Sequence, residues 1–309
     1  MAEQLNQRDI YGKTLAELGR SDSNIVVLDA DLSGSTKTSV FAKEFPERFF
    51  DFGIAEQNML AAASGLASCG KTVFASSFAM FATGRAWEQI RNGVAYNKFD
   101  VKIVATHAGI TVGPDGASHQ ALEDIAILRV IPNMSIIVPC DGPQAREAVI
   151  AAAGNKGPFY VRIARCKVPT VENKGEFKFG KAQVLRRGKD AAIIACGIMV
   201  SQALTAADNL AAKGIEVSVI NMHTIKPLDT AAVIDAAGST KGIVVCEEHS
   251  IYGGLGSAVC EVVAENHPAK VLRVGVKNRF GQSGEPDELL KEYNLTSQDI
   301  EKAVSAIVV

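Results

Sequence analysis

Residues 101–126 read VKIVATHAGITVGPDGASHQALEDIA. A short β-branched run comes first and ends in His107. A loop follows with glycines at 109, 113 and 116, and then a helix-like segment over 119–129. A run of this length without regular polar alternation reads as a strand buried on both faces. A strand, a turn and a helix in succession are the repeating unit of a parallel sheet. The same unit recurs on either side. Strands read at 24–30, 71–76, 134–139 and 158–164, and helices at 6–19, 55–69, 78–96 and 143–153. A second series places strands at 190–196, 215–221, 242–247 and 270–276, with helices at 200–213, 229–238, 254–266 and 296–307. The fold class is therefore α/β, with two doubly wound, mainly parallel-sheet domains, 1–165 and 182–309. The stretch 166–181 between them is charged, carries Pro169 and Gly175, lacks helical periodicity and reads as a linker.

The 309 residues suffice for two such domains without a disulfide or metal staple. Lysine and arginine (32) nearly balance aspartate and glutamate (34), which argues against a cationic nucleic-acid face. No apolar stretch approaches the ~20 residues of a membrane span, and the start has no signal-peptide pattern. The six cysteines form no CxxC pair, the pattern of reduced thiols in a cytoplasmic protein.

In parallel α/β sheets ligands sit beyond the carboxyl ends of strands. Three loops in the first domain stand there. DADLSGST (29–36) offers two carboxylates and a Ser/Thr/Gly turn, for a ligand or for helix capping. FFDFGIAEQNMLAAASGLASCG (49–70) sets Glu56 in the first turn of a strong helix. There it complements the helix dipole or, among apolar neighbours, serves as a carboxyl of altered proton affinity. The third loop, 105–126, holds His107, Asp115 and His119. The two histidines lack the i, i+4 spacing of a helical metal pair, so polar recognition and acid–base work fit better than a metal, and no metal ligand is assigned. Arg8 and Arg165 flank these loops and suit phosphate or carboxylate binding. In the second domain, GIVVCEEHSIYGGLGSAV (242–259) brings a Gly-rich turn to a helix N-terminus, either to meet a phosphate or to pack strand on helix.

DFGIAEQNM (51–59), GPDGASHQALEDIAILRVIPNM (113–134) and VPCDG (138–142) together resemble the pyrimidine-binding domain of transketolase. The second half resembles the transketolase C-terminal domain, which 2-oxo acid dehydrogenase beta subunits share. The resemblance implies thiamine diphosphate as cofactor. It places on Glu56 the carboxylate that hydrogen-bonds the aminopyrimidine ring nitrogen and drives the imino tautomer. The aromatic pocket for the pyrimidine matches SSFAMFATGRAW (76–87), giving Phe78 and Phe81. The family often carries a third aromatic where this chain has Gly84; Trp87, one turn on, is the residue that could compensate. Arg8, Ser35, His107 and Arg165 match positions that hold the sugar phosphate. Asp115 and His119 match those that contact hydroxyls near the reacting carbon, so that His107 and His119 join Glu56 as catalytic residues.

In this family the diphosphate and Mg²⁺ sit on an N-terminal domain, at a GDG motif that this sequence lacks. The resemblance therefore implies the C-terminal subunit of a split transketolase. It would move a two-carbon ketol unit from a ketose phosphate to an aldose phosphate. A separate N-terminal subunit would carry the GDG diphosphate and Mg²⁺ site, in an α₂β₂ assembly built on a self-dimer. The start MAEQLNQRDIYGKTLAEL reads as that of a complete subunit. The alternatives are a 1-deoxyxylulose-5-phosphate synthase, a 2-oxo acid dehydrogenase beta-type subunit, and a non-catalytic binding subunit.

Overall fold

Val101–Ala105 has no solvent contact on either face, and the strands beside it are covered in the same way. In the computed structural model, residues 3–172 and 175–308 are described. Fourteen strands are present among them. They are β1 (Gln4–Asn6), β2 (Ile25–Asp29), β3 (Phe49–Asp51), β4 (Thr72–Ser76), β5 (Val101–Ala105), β6 (Ser135–Ile137) and β7 (Phe159–Arg162). Then come β8 (Lys167–Pro169), β9 (Gln183–Arg186), β10 (Ala191–Ala195), β11 (Val217–Asn221), β12 (Thr224–Lys226), β13 (Ile243–Ser250) and β14 (Val271–Val276).

The first sheet has the order β12-β6-β7-β5-β4-β2-β3, all parallel except the edge strand β12. Alternate residues of β2 and β4 face opposite cores. Val26, Leu28, Val73 and Ala75 meet Met59, Leu60 and Ala63 of helix Glu56–Ser68. Ile25, Val27 and Phe74 meet Tyr11 and Leu15 of helix Gln7–Ser21 and Val149 of helix Gly142–Gly154. Side chains start these last two helices: Asn6 accepts from the Arg8 amide and Asp141 from that of Gln144. The second sheet, β14-β13-β10-β11-β9, is parallel but for β9. Helices Met199–Ala211 and Ser297–Val308 cover one face, and Thr230–Ser239 and Leu255–Asn266 the other.

Three features differ from the sequence expectation. The short strands β1, β3, β8, β9 and β12 were not foreseen. Of these, β8 lies within 166–181 and pairs antiparallel with β1, and β12 leaves the second series to join the first sheet beside β6. The segment expected as a helix over 78–96 is wound in wide π turns, Met80–Arg85 and Gln89–Ala95. The helix expected from 119 begins only at Asp124. A 3₁₀ stretch, Ile110–Asp115, precedes it, and Gly113 and Gly116 adopt φ of 84° and 75°, which no helix continues through. For the Gly-rich turn at 253–256, read either as a phosphate site or as strand-on-helix packing, the packing holds. The carboxylate of Glu247 already accepts from the amides of Leu255 (2.7 Å) and Gly256 (2.8 Å).

No helix among the described residues is long and apolar enough to cross a membrane.

Candidate functional site

Parallel strands put their carboxyl ends on one edge, so the loops after β2, β3, β4, β5 and β7 converge there. Every residue singled out in the first domain lies in or beside these loops. After β2, buried Asp29 accepts from the Leu32 amide (2.7 Å) and from the hydroxyls of Thr36 (2.7 Å) and Thr38 (2.8 Å). This shapes the turn that carries Ser35. Asp29 thus organises the loop from within, although no side chain caps the short helices Ser33–Thr36 and Ser39–Glu44.

Arg8 reaches that turn. Its Nη1 donates to the Ser35 carbonyl (3.2 Å) and lies 3.4 Å from His107 Nε2. A guanidinium only donates, so Nε2 is the acceptor, and Nδ1–H donates to Thr106 Oγ1 at 2.8 Å. His107 follows β5 with φ of 59° and is almost fully buried. Burial, then the charges of Arg8 and Arg165, push its pKa down to about 3. The imidazole is therefore neutral near pH 7. The positive charge at this edge comes from the two arginines, and His107 adds none. Among the described residues no carboxylate pairs with Arg8, and burial and Arg165 lower its own pKa. Arg165 donates to the Val112 carbonyl and lies 3.7 Å from Asp115. Asp115 is thus held beside the second arginine.

The rings form a stack. Phe78 lies 3.7 Å from His107 and 5.8 Å from Phe81, centroid to centroid and nearly parallel. His119, half-buried on a turn, meets the edges of Phe81 (5.0 Å) and Phe78 (6.2 Å), and Ser118 Oγ lies 3.0 Å from its Nδ1. Trp87 does not stand in for the aromatic missing at Gly84. Its indole N–H donates to the Ile127 carbonyl (2.8 Å), and its ring packs on the core. Arg85 is the side chain that reaches Phe81, with its Cζ 4.2 Å from the ring centroid. Sequence reasoning passed over Arg85. The signal was its place one helical turn after Phe81.

Arg85 also leads to Glu56. Glu56 opens its helix with a side chain only 4% exposed, and its Oε1 accepts from Arg85 Nη1 at 2.9 Å. An unbroken series of contacts thus joins Arg8, His107, Phe78, Phe81, Arg85 and Glu56 along one sheet edge. Among the described residues, no three of histidine, cysteine, aspartate or glutamate gather as metal ligands.

The second unit closes this edge. Glu248 of β13 accepts from both the amide (2.6 Å) and the hydroxyl (2.7 Å) of Thr111. Gln120 donates to Ile110 O (3.0 Å) and Gln282 O (2.9 Å), and Ser283 donates to Pro114 O. The loop bearing Asp115 and His119 is thereby held from two sides.

Comparison with known proteins gives the same picture over the whole chain. Residues 3–170 match the transketolase pyrimidine binding domain, and residues 180–300 the transketolase C-terminal domain. A Methanocaldococcus jannaschii protein, provisionally described as a transketolase C-terminal section, is 54% identical over 95% of this chain and 93% of its own length. A 6-deoxy-6-sulfo-D-fructose transketolase subunit of Clostridium sp. strain MSTE9 is 41% identical over 97% and 94%. Among solved structures, a split gene transketolase in an inactive β4 tetramer superposes with a TM-score of 0.90. It shares 50% identity, and 99% of each chain is covered. Two domain matches in the same order, and near end-to-end agreement with a transketolase C-terminal section and a split gene transketolase, place this chain in the transketolase family, as a C-terminal subunit of the split type.

Proposed function

We propose that the chain provides the pyrimidine-binding half of a thiamine diphosphate site together with the sugar-phosphate cradle of a transketolase. In this reading a separate N-terminal subunit holds the diphosphate and Mg²⁺. The observation that carries the proposal is the buried Glu56 carboxylate, joined to Phe81 through Arg85, on the same edge as two arginines of which, among the described residues, only Arg165 has a carboxylate, Asp115 at 3.7 Å, within ion-pair distance. The pocket fits the cofactor's ring, because a planar nitrogen-bearing group, the Arg85 guanidinium, already makes both contacts there. When bound, the cofactor supplies the carbon nucleophile and electron sink for breaking and re-forming a carbon–carbon bond beside a carbonyl.

Glu56 would hold a proton at the ring nitrogen of the pyrimidine, from a site too buried for water to compete. Phe81, backed by Phe78, would orient the ring. Arg8 and Arg165 would bind the sugar phosphate, with neutral His107 and the Ser35 turn completing its hydrogen bonds. Asp115 would read hydroxyls, and His119 would move a proton at the sugar oxygen near the reacting carbon.

The inactive β4 form of the 50% identical relative supports a site that is incomplete without another subunit, and self-association of this chain. Helix Glu56–Ser68 exposes Ala61 and Gly65, a surface suited to close helix packing. The sulfo-sugar named for another relative leaves the anionic group of the donor as the specificity to be tested.

In the complex with a GDG-bearing subunit, Glu56→Gln is expected to lower ketol transfer from a ketose phosphate by at least ~100-fold. Retained activity would overturn the role of Glu56. Turnover of pyruvate without any ketose donor would favour the 2-oxo acid type of reaction instead.

A further inference from the structure

Arg85 makes two contacts, and each is with a group that the proposed function gives to the cofactor's pyrimidine. Its Nη1 donates to Glu56 Oε1 at 2.9 Å, and its Cζ lies 4.2 Å from the Phe81 centroid. A guanidinium and an aminopyrimidine are alike in the relevant chemistry. Both are planar, both present N–H donors to a carboxylate, and both lie favourably on an aromatic face. A guanidinium lying over Phe81 occupies the ring face that the aminopyrimidine would need, whichever lone pair of the carboxylate each one used.

The surroundings let the head group leave without disturbing the fold. The backbone of Arg85 is fixed, since Gln57 Nε2 donates to its carbonyl at 3.0 Å. The side chain is 48% exposed, whereas that of Glu56 is 4% exposed. The guanidinium itself can therefore be rehydrated readily, but the carboxylate stays inside and must gain a new partner as the guanidinium leaves. Gly84 precedes Arg85 in the same π turn and is exposed, so no side chain from that position shields the guanidinium.

Resting on the thiamine diphosphate reading above, we infer that Arg85 is a built-in stand-in for the pyrimidine: it partners Glu56 and covers Phe81 in the free chain, the cofactor binds by displacing it, and it thereby weakens cofactor affinity. The contact also protects the free chain, because without it a buried carboxylate is left unpaired.

The test is calorimetric titration of thiamine diphosphate with Mg²⁺ into the two-subunit complex, using wild type, Arg85→Ala and Arg85→Gln. Thermal melting of each free chain runs alongside. Loss of a competing charge-assisted hydrogen bond predicts binding about tenfold tighter in Arg85→Ala, with a smaller gain in Arg85→Gln. Both free chains should melt below wild type. In a Glu56→Gln background the gain from Arg85→Ala should vanish, because the pair no longer exists. Equal or weaker binding by both Arg85 variants, with the wild-type complex binding normally, overturns the stand-in and leaves the cofactor reading intact. A wild-type complex that does not bind the cofactor overturns that reading, and the stand-in with it.

Discussion

Asp29 ends β2 without solvent contact and is held by three donors. Burial outweighs them and raises its pKa to about 6. A carboxyl raised on folding favours the protonated state. Its stabilising contribution is full below the ordinary aspartate value near 4 and is lost as pH rises through 6. The amount at stake is on the order of 3 kcal/mol. Asp29→Asn, neutral at every pH, should therefore melt above wild type at pH 8, and the gap should roughly halve by pH 5 and close below pH 4. A constant gap across this range would show that Asp29 does not titrate there. The residue types at this edge were legible in the sequence, because His107, Asp115, His119 and Glu56 stand in loops after apolar runs. The neutrality of His107 was not. It depends on burial and on two arginines, from Gln7–Ser21 and from beyond β7, which no local pattern brings together. Arg85 was visible as the residue one turn after Phe81, but its partner Glu56 lies 29 positions earlier.

At the scale of the element, the loop 109–123 replaces the start of an expected helix. Periodicity in HQALEDIAILR suggested a helix from 119, but two glycines with positive φ and the tied amide of Gln120 postpone it to Asp124. What fixes the loop is Glu248, which arrives from another sheet. Glu248→Ala would leave the Thr111 N–H buried and unpaired, at a cost of about 1–3 kcal/mol. In the complex it should raise KM for the sugar phosphate several-fold while cofactor affinity stays near wild type. Glu248→Gln, which can still accept from Thr111, should recover most of the loss. Equal effects on sugar and cofactor would show that the clasp does not act through the Asp115 and His119 loop. The Glu247–Glu248 pair was plain in the sequence, but the target of Glu248 in the other half was not.

For the whole molecule, the strong strands and long helices of both series were legible because each is a local apolar pattern. The stitching between the sheets was not. Thr224–Lys226 is too short to read as a strand, and its partner β6 lies nearly ninety residues earlier. One core runs across the join, with Val138 and Ile136 meeting Ile194, Met222 and Ile225. Lys226 secures it by donating to the carbonyls of Arg129 (2.8 Å) and Ile131 (2.6 Å). Wild type should unfold in a single calorimetric transition. Lys226→Met removes both donors at a cost of about 2 kcal/mol, and is expected to split the transition into two. A single, merely shifted peak would mean that the shared core alone couples the halves. The returning strand also bears on how the protein is made. Ribosomal synthesis delivers β7 well before β12, so the first sheet must wait with the flank of β6 open until Lys226 has left the exit tunnel. During that interval the nascent chain carries an unpaired edge, open to any other strand that reaches it, so its exposure to mispairing falls in mid-synthesis rather than at the end.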